Sequence, residues 1–456
     1  MTHDIIILGG GPAGYRAAEQ AAKSGLKTLC VEKLNVGGVC LNEGCIPTKT
    51  LLYSAKLFDG ATHGEKYGVF SEAIKIDHAK VVARKNKVVK LLTGGVKAAL
   101  KAHGAELIIG EGKIIEKENG EFKVAVGENE YTSKYLLIAT GSSPVIPPIP
   151  GAKNGVEKGT ILTNKEILAL TEIPKRLLII GGGVIGLEMA SYFNSIGSAV
   201  TVVEMLDHIA GENDAELSLI LQKTYAKRGV HFILSTKVVS LENDIAKCDS
   251  DGEITEIPFD KALMSVGRRA NTADLGLDAI DVLIERGAVI TDDHMRTNVE
   301  NAYAAGDVNG KSMLAHTAYR EADVAVNNII GIEDSVDYSK IPAVIYTNPE
   351  LGSIGETEDT AVKKNLNYGI VKIPMRFSGR YLAENEGGDG VFKMIINKES
   401  KVVLGAQALC NYASEFIVSV GVMMEAKMTV EQIKKVVFPH PTVCEIIREG
   451  IDSCEF

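Results

Sequence analysis

No apolar run in the 456-residue sequence reaches the roughly 20 residues that a helix needs to cross a bilayer, so no membrane-spanning helix is expected. A charged leader followed by a long apolar segment is also missing. Met1, Thr2, His3 and Asp4 lead straight into the strand-like Ile5-Ile-Ile-Leu, so a cytoplasmic protein without a targeting segment is expected. Cations are in deficit: 49 Lys and Arg stand against 59 Asp and Glu, a net charge of −10. Neutralising phosphate takes Lys and Arg, so the acidic balance argues against duplex DNA or anionic membrane as the main partner, while leaving room for local basic patches. The seven cysteines (30, 40, 45, 248, 410, 444 and 454) are an odd number in a long chain and form no secretory disulfide framework. Any pair that matters should therefore be reactive rather than structural. The 45% hydrophobic and 24% charged composition is that of a globular protein. At about 150 residues per domain the length suggests roughly three domains, which can bury cores without disulfides.

The sequence repeats itself. Residues 4–14 read DIIILGGGPAG, an apolar strand followed by Gly9-x-Gly11-x-x-Gly14 and a helical stretch. Residues 177–186 read LLIIGGGVIG, another strand followed by Gly181-x-Gly183-x-x-Gly186 and a second helical stretch. Each copy continues into a strand ending in an acid, Glu32 or Glu204, 18 residues past the third glycine in both cases. Each also closes on a strand running into glycine, at Gly141 and at Gly267, and a third such strand ends at Gly306-Asp307. Strands alternating with helices predict α/β domains with parallel sheets. Pro144-Val-Ile-Pro-Pro-Ile-Pro150 reads as a stiff linker, and further boundaries fall near 267–271 and Ile341-Pro342. Past this point there is no glycine loop; strand-like runs at 390–396 and 402–406 and helical stretches at 414–426 and 429–437 predict a separate α+β domain.

A dinucleotide loop needs its glycines for a tight turn, for close approach of backbone to pyrophosphate, and for packing helix on strand. The helix N-terminus then faces the phosphates and the acid accepts a hydrogen bond from a ribose hydroxyl. One such motif is weak evidence, whereas two at identical spacing predict two bound dinucleotides. Glu204 would repel a 2′-phosphate and no arginine follows it in Met205-Leu-Asp-His, so NAD is favoured over NADP.

Between the first acid and the next helix lies GGVCLNEGCIPTK at 37–49. Cys40 and Cys45 could bind a metal, lie buried as unrelated thiols, or form a redox disulfide. No second Cys or His cluster completes four ligands, so metal is disfavoured. The flanking glycines suit a loop against a flat ligand. Lys49 and a helix start would lower a thiol pKa and so favour the nucleophilic thiolate.

This segment resembles the active-site disulfide of the FAD-dependent pyridine nucleotide–disulfide oxidoreductases. The resemblance covers the whole chain: GGGPAGYRAA at 9–18, ATGSSP at 139–144, GGGVIGLEMA at 181–190, VGRRAN at 266–271, AAGDV at 304–308, MLAH at 313–316, TNPELGSIG at 347–355 and HPT at 440–442 follow in the family's order. It implies two nested Rossmann-like domains and a C-terminal α+β dimerisation domain: FAD-binding 1–148 and 271–340, NAD-binding 149–270, interface 341–456. It also implies FAD and NAD as cofactors. Cys40 would exchange with substrate, and Cys45 would lie against the flavin in charge-transfer contact. Lys49 would sit near the flavin's reactive edge, with Glu188 as its partner in the NAD half. Gly9, Gly11, Gly14, Glu32, Lys33, Gly112, Thr140, Gly141, Ser142, Asp307, Met313, Leu314 and Ala315 would hold FAD. Gly181, Gly183, Val184, Ile185, Gly186, Glu204, Val238 and Gly267 would line the NAD site.

His440 sits between two prolines with Glu445 five residues on. A carboxylate on one ring nitrogen fixes the tautomer and raises the basicity of the other, which suits a base for a protonated dithiol. The resemblance implies that this pair serves the other subunit of a homodimer. It is strongest to those members that oxidise protein-bound dihydrolipoyl groups with NAD⁺, so lipoylated carrier proteins are the implied partners. The first strand begins at residue 4, so the carrier is expected to be a separate chain. Rival readings are a glutathione-type reductase, which normally uses NADPH; a coenzyme A disulfide reductase, which has a single active-site cysteine; and a flavoprotein subunit without turnover. Val39, Thr48, Asn348, Ala322 and the segment 378–387 depart from the family pattern. Cys30, Cys248 and Cys410 read as packing residues, and Cys444 has no role in this scheme.

Overall fold

A computed structural model describes residues 2–385 and 388–456. Met1 and the last two residues of the unusual 378–387 segment lie outside the described residues. The chain divides into two compact units, one of Met1–Thr50, Lys80–Val145 and Gly267–Tyr338, the other of Leu51–Ala79, Ile146–Val266 and Ser339–Phe456.

In the first unit the strand Thr2–Leu8 pairs in parallel with Thr28–Glu32 on one side and Asn129–Ile138 on the other, and Thr28–Glu32 pairs in parallel with Glu106–Ile109. The long strand Asn129–Ile138 is shared. Its first half pairs antiparallel with Glu121–Val126, and Leu136 to Ile138 pair in parallel with Ala302–Ala304. The third strand running into glycine thus joins the same sheet from more than 160 residues away. Ile5, Ile6, Ile7 and Leu8 are all buried, as a parallel strand covered on both faces requires. The helix Pro12–Lys23 opens on proline and buries a face of Ala13, Gly14, Ala17, Ala18 and Ala21, small residues that let it lie close to its neighbours.

The second unit repeats the plan. Five strands run parallel in the order His231–Ile233, Ala199–Val203, Arg176–Ile180, Lys261–Met264 and Ile161–Leu162. The helix Val184–Ser195 follows the second glycine loop. A separate five-stranded antiparallel sheet, from Ala343–Ile345 to Val403–Cys410, packs Phe392, Met394, Ala406 and Ala408 against Phe416, Ile417 and Val420 of the helix Ala413–Glu425. This is the α+β portion expected from the sequence.

Three local expectations differ. The stretch 429–437 is helical only over Val430–Ile433, with Lys434 as its C-cap. The proline-rich linker begins as a strand, Ser142–Pro144, paired antiparallel with Arg268–Ala270. The cysteine segment is not a loop. Gly37 and Gly38, at φ +98° and +55°, turn the chain into the short helix Gly38–Glu43, and Cys45 opens the helix Cys45–Thr62.

Candidate functional site

The two glycine loops have nearly the same geometry. Gly9 and Gly181 lie at φ +105° and +103°, where a Cβ would come 2.2 Å from the Ala139 carbonyl oxygen and 2.5 Å from that of Ser265. A Cβ on Gly14 or Gly186 would stand 1.8 or 2.2 Å from the carbonyl oxygen of Gly9 or Gly181. These glycines are required by the fold. The middle pair is different. Gly11 and Gly183 are the N-caps of their helices, at φ −75° and −79°, and a Cβ on Gly183 would meet nothing within 4 Å. On Gly11 it would meet only the Gly38 Cα, at 3.8 Å. A bare backbone facing open space at the N-terminus of a 12-residue helix, twice over, fits the pyrophosphate of a dinucleotide. Gly183→Ala is therefore expected to leave thermal stability unchanged while raising KM for NAD⁺ by about tenfold or more, whereas Gly14→Ala should yield protein depleted in flavin. Melting curves, KM measurements and the flavin-to-protein absorbance ratio check both.

Each acid is bound into its own loop. Glu32 accepts hydrogen bonds from the Gly10 N–H (2.7 Å) and the Leu34 N–H (2.7 Å), and Glu204 from Gly182 (2.6 Å) and Leu206 (2.8 Å). Both carboxylates thus brace the glycine turn. Val184 and Ile185 open the helix Val184–Ser195. Val238 is packed in a core with Leu241, Ala246 and Cys248. Gly267 is exposed at φ +111°. Glu188 is buried and accepts a hydrogen bond from the Tyr346 N–H at 3.0 Å.

In the first unit Asp307 opens a 3₁₀ turn and accepts a hydrogen bond from the Ser142 hydroxyl at 2.5 Å. Arg268 donates to the same hydroxyl and to the Ser142 carbonyl, both at 2.7 Å. Thr140 and Gly141 are held by Asn271, whose side chain donates to the Thr140 carbonyl and whose N–H donates to that of Gly141, both at 2.9 Å. Behind them the buried Glu321 accepts from the Gly306 N–H (2.5 Å) and the Tyr338 hydroxyl (2.6 Å). Met313 is exposed, Leu314 caps the helix Ala315–Ile329, and Ala315 begins it. Lys33 is ion-paired with Glu111 at 2.6 Å on the surface. Gly112 packs where a Cβ would come 2.7 Å from Leu8. Arg268, Asn271 and Glu321 were not among the expected site residues. The first two lie inside the VGRRAN motif, but nothing local in the sequence points to Glu321.

Cys40 and Cys45 are free thiols, partly buried and in hydrogen-bond contact. The expectation of a lowered thiol pKa is corrected for Cys40. Its pKa is raised, first by the hydrogen bond to Cys45, then by burial and by negative charge on Cys45, with Lys49 acting in the opposite sense. Tyr15 and Tyr319 share a short hydroxyl–hydroxyl hydrogen bond in this unit, and both hydroxyls are pushed up, chiefly by burial, with smaller contributions from Cys40 and Cys45. Burial lifts the Cys30 thiol to about 12 and that of Cys248 to about 11, as packing residues require.

In the second unit the His440 Nδ1 lies 2.8 Å from Glu445 Oε1, and Oε2 accepts from the Thr442 N–H at 2.6 Å. Burial works to raise the Glu445 pKa, but the Thr442 N–H and His440 outweigh it and hold the carboxyl below its ordinary value. Cys444 lies 3.2 Å from the Thr442 hydroxyl. No helix of the described residues is long and apolar enough to cross a membrane.

Two dinucleotide cradles and a paired-thiol centre define a class. Residues 3–322 match the pyridine nucleotide-disulphide oxidoreductase family and residues 341–451 its dimerisation domain. The chain belongs to this family: it is an oxidoreductase that uses FAD and NAD and carries a dimerisation domain. It is 38% identical over 453 residues to the dihydrolipoyl dehydrogenase of Mycoplasma genitalium, spanning 98% of both chains. It is 37% identical over 454 residues to that of Geobacillus stearothermophilus, spanning 98% of this chain and 95% of the relative. Among solved structures, LpdA from Mycobacterium tuberculosis is similar with a TM-score of 0.91 and 27% identity, over 98% of this chain and 99% of that one.

Proposed function

We propose that the protein oxidises protein-bound dihydrolipoyl groups to lipoyl groups and reduces NAD⁺ to NADH. The observation that carries this is the pair Cys40 and Cys45, two thiols in hydrogen-bond contact in the unit that holds the first dinucleotide cradle. The full-length similarity to dihydrolipoyl dehydrogenases supports the choice of substrate. In the oxidised enzyme the two sulfurs are bonded. A substrate thiolate attacks Cys40, forming a mixed disulfide and releasing Cys45 as thiolate. The second substrate thiol, deprotonated by His440, displaces Cys40, so that the substrate leaves as a cyclic disulfide and both enzyme cysteines are reduced. FAD, held at the first cradle by Gly11 and Glu32, would supply the two-electron carrier between the reduced cysteines and NAD⁺. Glu445 orients His440, and the pair serves the other subunit of a homodimer.

The same reading gives the FAD to segments 1–148 and 271–340, NAD to 149–270 and the subunit interface to 341–456. Gly9, Gly11, Gly14, Glu32, Lys33, Gly112, Thr140 to Ser142, Asp307 and Met313 to Ala315 hold FAD, with Lys49 at its reactive edge. Gly181 to Gly186, Glu188, Glu204, Val238 and Gly267 line the NAD side. Lipoylated carriers are the partners and the cytoplasm the location. Purified protein is expected to form NADH from dihydrolipoamide and NAD⁺ and to leave glutathione disulfide with NADPH unreacted. Turnover of glutathione disulfide, or flavin-loaded protein inert toward dihydrolipoamide, would overturn the reading.

A further inference from the structure

The helix His78–Ala102 contains six lysines and one arginine and neither aspartate nor glutamate, in a chain of net charge −10. It has two faces. His78, Val82, Lys85 and Leu100 are buried. Lys80, Arg84, Lys87, Lys90, Lys97 and Lys101 are exposed and follow one another at spacings of four, three, three, seven and four, which keeps them on one side of a helix with 3.6 residues per turn. Leu91, four residues after Lys87 and seven after Arg84, lies between those two in angle on that side and is 74% exposed. No ion pair among the described residues takes up Lys87, Lys90, Lys97 or Lys101. Like charges one turn apart repel and weaken a helix, so Lys87, Lys90, Lys97 and Lys101 do not stabilise the helix by their charges. The face is also tied to the redox centre. Arg84 donates to the Thr50 carbonyl at 3.4 Å, five residues on from Cys45 in the helix that Cys45 opens.

We propose that this face docks an acidic protein domain carrying the dithiol substrate, an inference that rests on the reading above that the substrate is protein-borne. Cations around an exposed leucine complement a domain with carboxylates around a small apolar spot, since charge steers the encounter and the apolar centre holds it. The rest of the chain is acidic and repels such a domain, which directs it to this helix. The tie to the Cys45 helix then brings a flexible dithiol arm toward the thiols.

The test compares a purified acidic lipoylated carrier domain with free dihydrolipoamide, which is uncharged. Replacing Lys87, Lys90 and Lys97 together by glutamate is expected to raise KM for the carrier about tenfold or more and to flatten the fall of its kcat/KM with salt. Free dihydrolipoamide should be turned over as by the wild type, which also shows that the variant folds. The milder Lys→Gln set should move the carrier KM in the same direction by about threefold. Carrier kinetics and salt dependence unchanged in both sets would overturn the proposal. So would anionic phospholipid vesicles that sediment the wild type but not the variants while the carrier KM stays put, an outcome that assigns the face to a membrane. A wild type inactive toward free dihydrolipoamide would instead defeat the functional reading, independently of where the carrier docks.

Discussion

Replacing Cys45 with serine is expected to reduce NADH formation from dihydrolipoamide by about 10⁴-fold or more while the protein still folds and retains flavin. The size of the loss follows from chemistry that has no substitute: a hydroxyl forms no bond with sulfur that a dithiol could exchange. Folding should survive, because the side chain is only partly buried, opens a helix, and keeps its hydrogen-bonding capacity as serine. Cys40→Ser should be as inactive but spectrally different. In the reduced pair the hydrogen bond and negative charge of Cys45 raise the Cys40 pKa, and in the proposed roles Cys45 is the sulfur that lies against the flavin. The Cys40→Ser protein should therefore show long-wavelength absorbance from a thiolate beside the flavin, and Cys45→Ser should not. Absorbance spectra under anaerobic two-electron titration, together with steady-state NADH formation, check both. Near-normal turnover in either variant would remove the disulfide from the reaction.

The parts of the site legible in the sequence are those whose chemistry is local. Each loop packs three glycines, a strand and an acid into fewer than 30 residues, and the backbone explains the glycines: positive φ at Gly9 and Gly181, and carbonyl oxygens where the Cβ of Gly14 and Gly186 would stand. His440 and Glu445 were legible for the same reason, being five residues apart. What stayed hidden depends on distance along the chain. Ser142 meets Arg268 and Asp307 from 126 and 165 residues away, and Glu321 supports Gly306 from the next helix. A lysine and a helix start, which lower a thiol pKa, can be read from sequence, whereas the contact with a second thiol that raises the Cys40 pKa cannot. The glycines around Cys40 suggested a loop, but two of them only turn the chain into a helix. The basic helix was visible as composition. Which of its cations are exposed, and that it is anchored to the helix that Cys45 opens, required coordinates.

His440→Gln is expected to lower kcat/KM for dihydrolipoamide by about 10²- to 10⁴-fold at neutral pH, the range of a positioned general base. The imidazole side chain is 76% exposed on the single chain, which leaves it accessible to a substrate. Its Nδ1 is fixed by Glu445, which leaves Nε2 to take the proton. The Glu445 carboxyl is held below its ordinary value, so it remains ionised throughout the working range of the enzyme and orients the ring at every pH at which the base is needed. The pH dependence gives the stronger test. A dithiol that ionises unaided needs no base, so the deficit of His440→Gln should shrink as pH rises toward the thiol pKa of about 8.5. Glu445→Gln should cost less, about tenfold, because the ring keeps its place but loses the carboxylate that orients it. The same carboxylate also contributes stability. Its depressed pKa means that the contribution is complete above the unfolded carboxylate value and disappears as pH falls through the folded one. Glu445→Gln should accordingly melt below the wild type at pH 7, with the gap closing in acid. A flat pH–rate profile for His440→Gln, parallel to that of the wild type, would show that another group takes the substrate's proton.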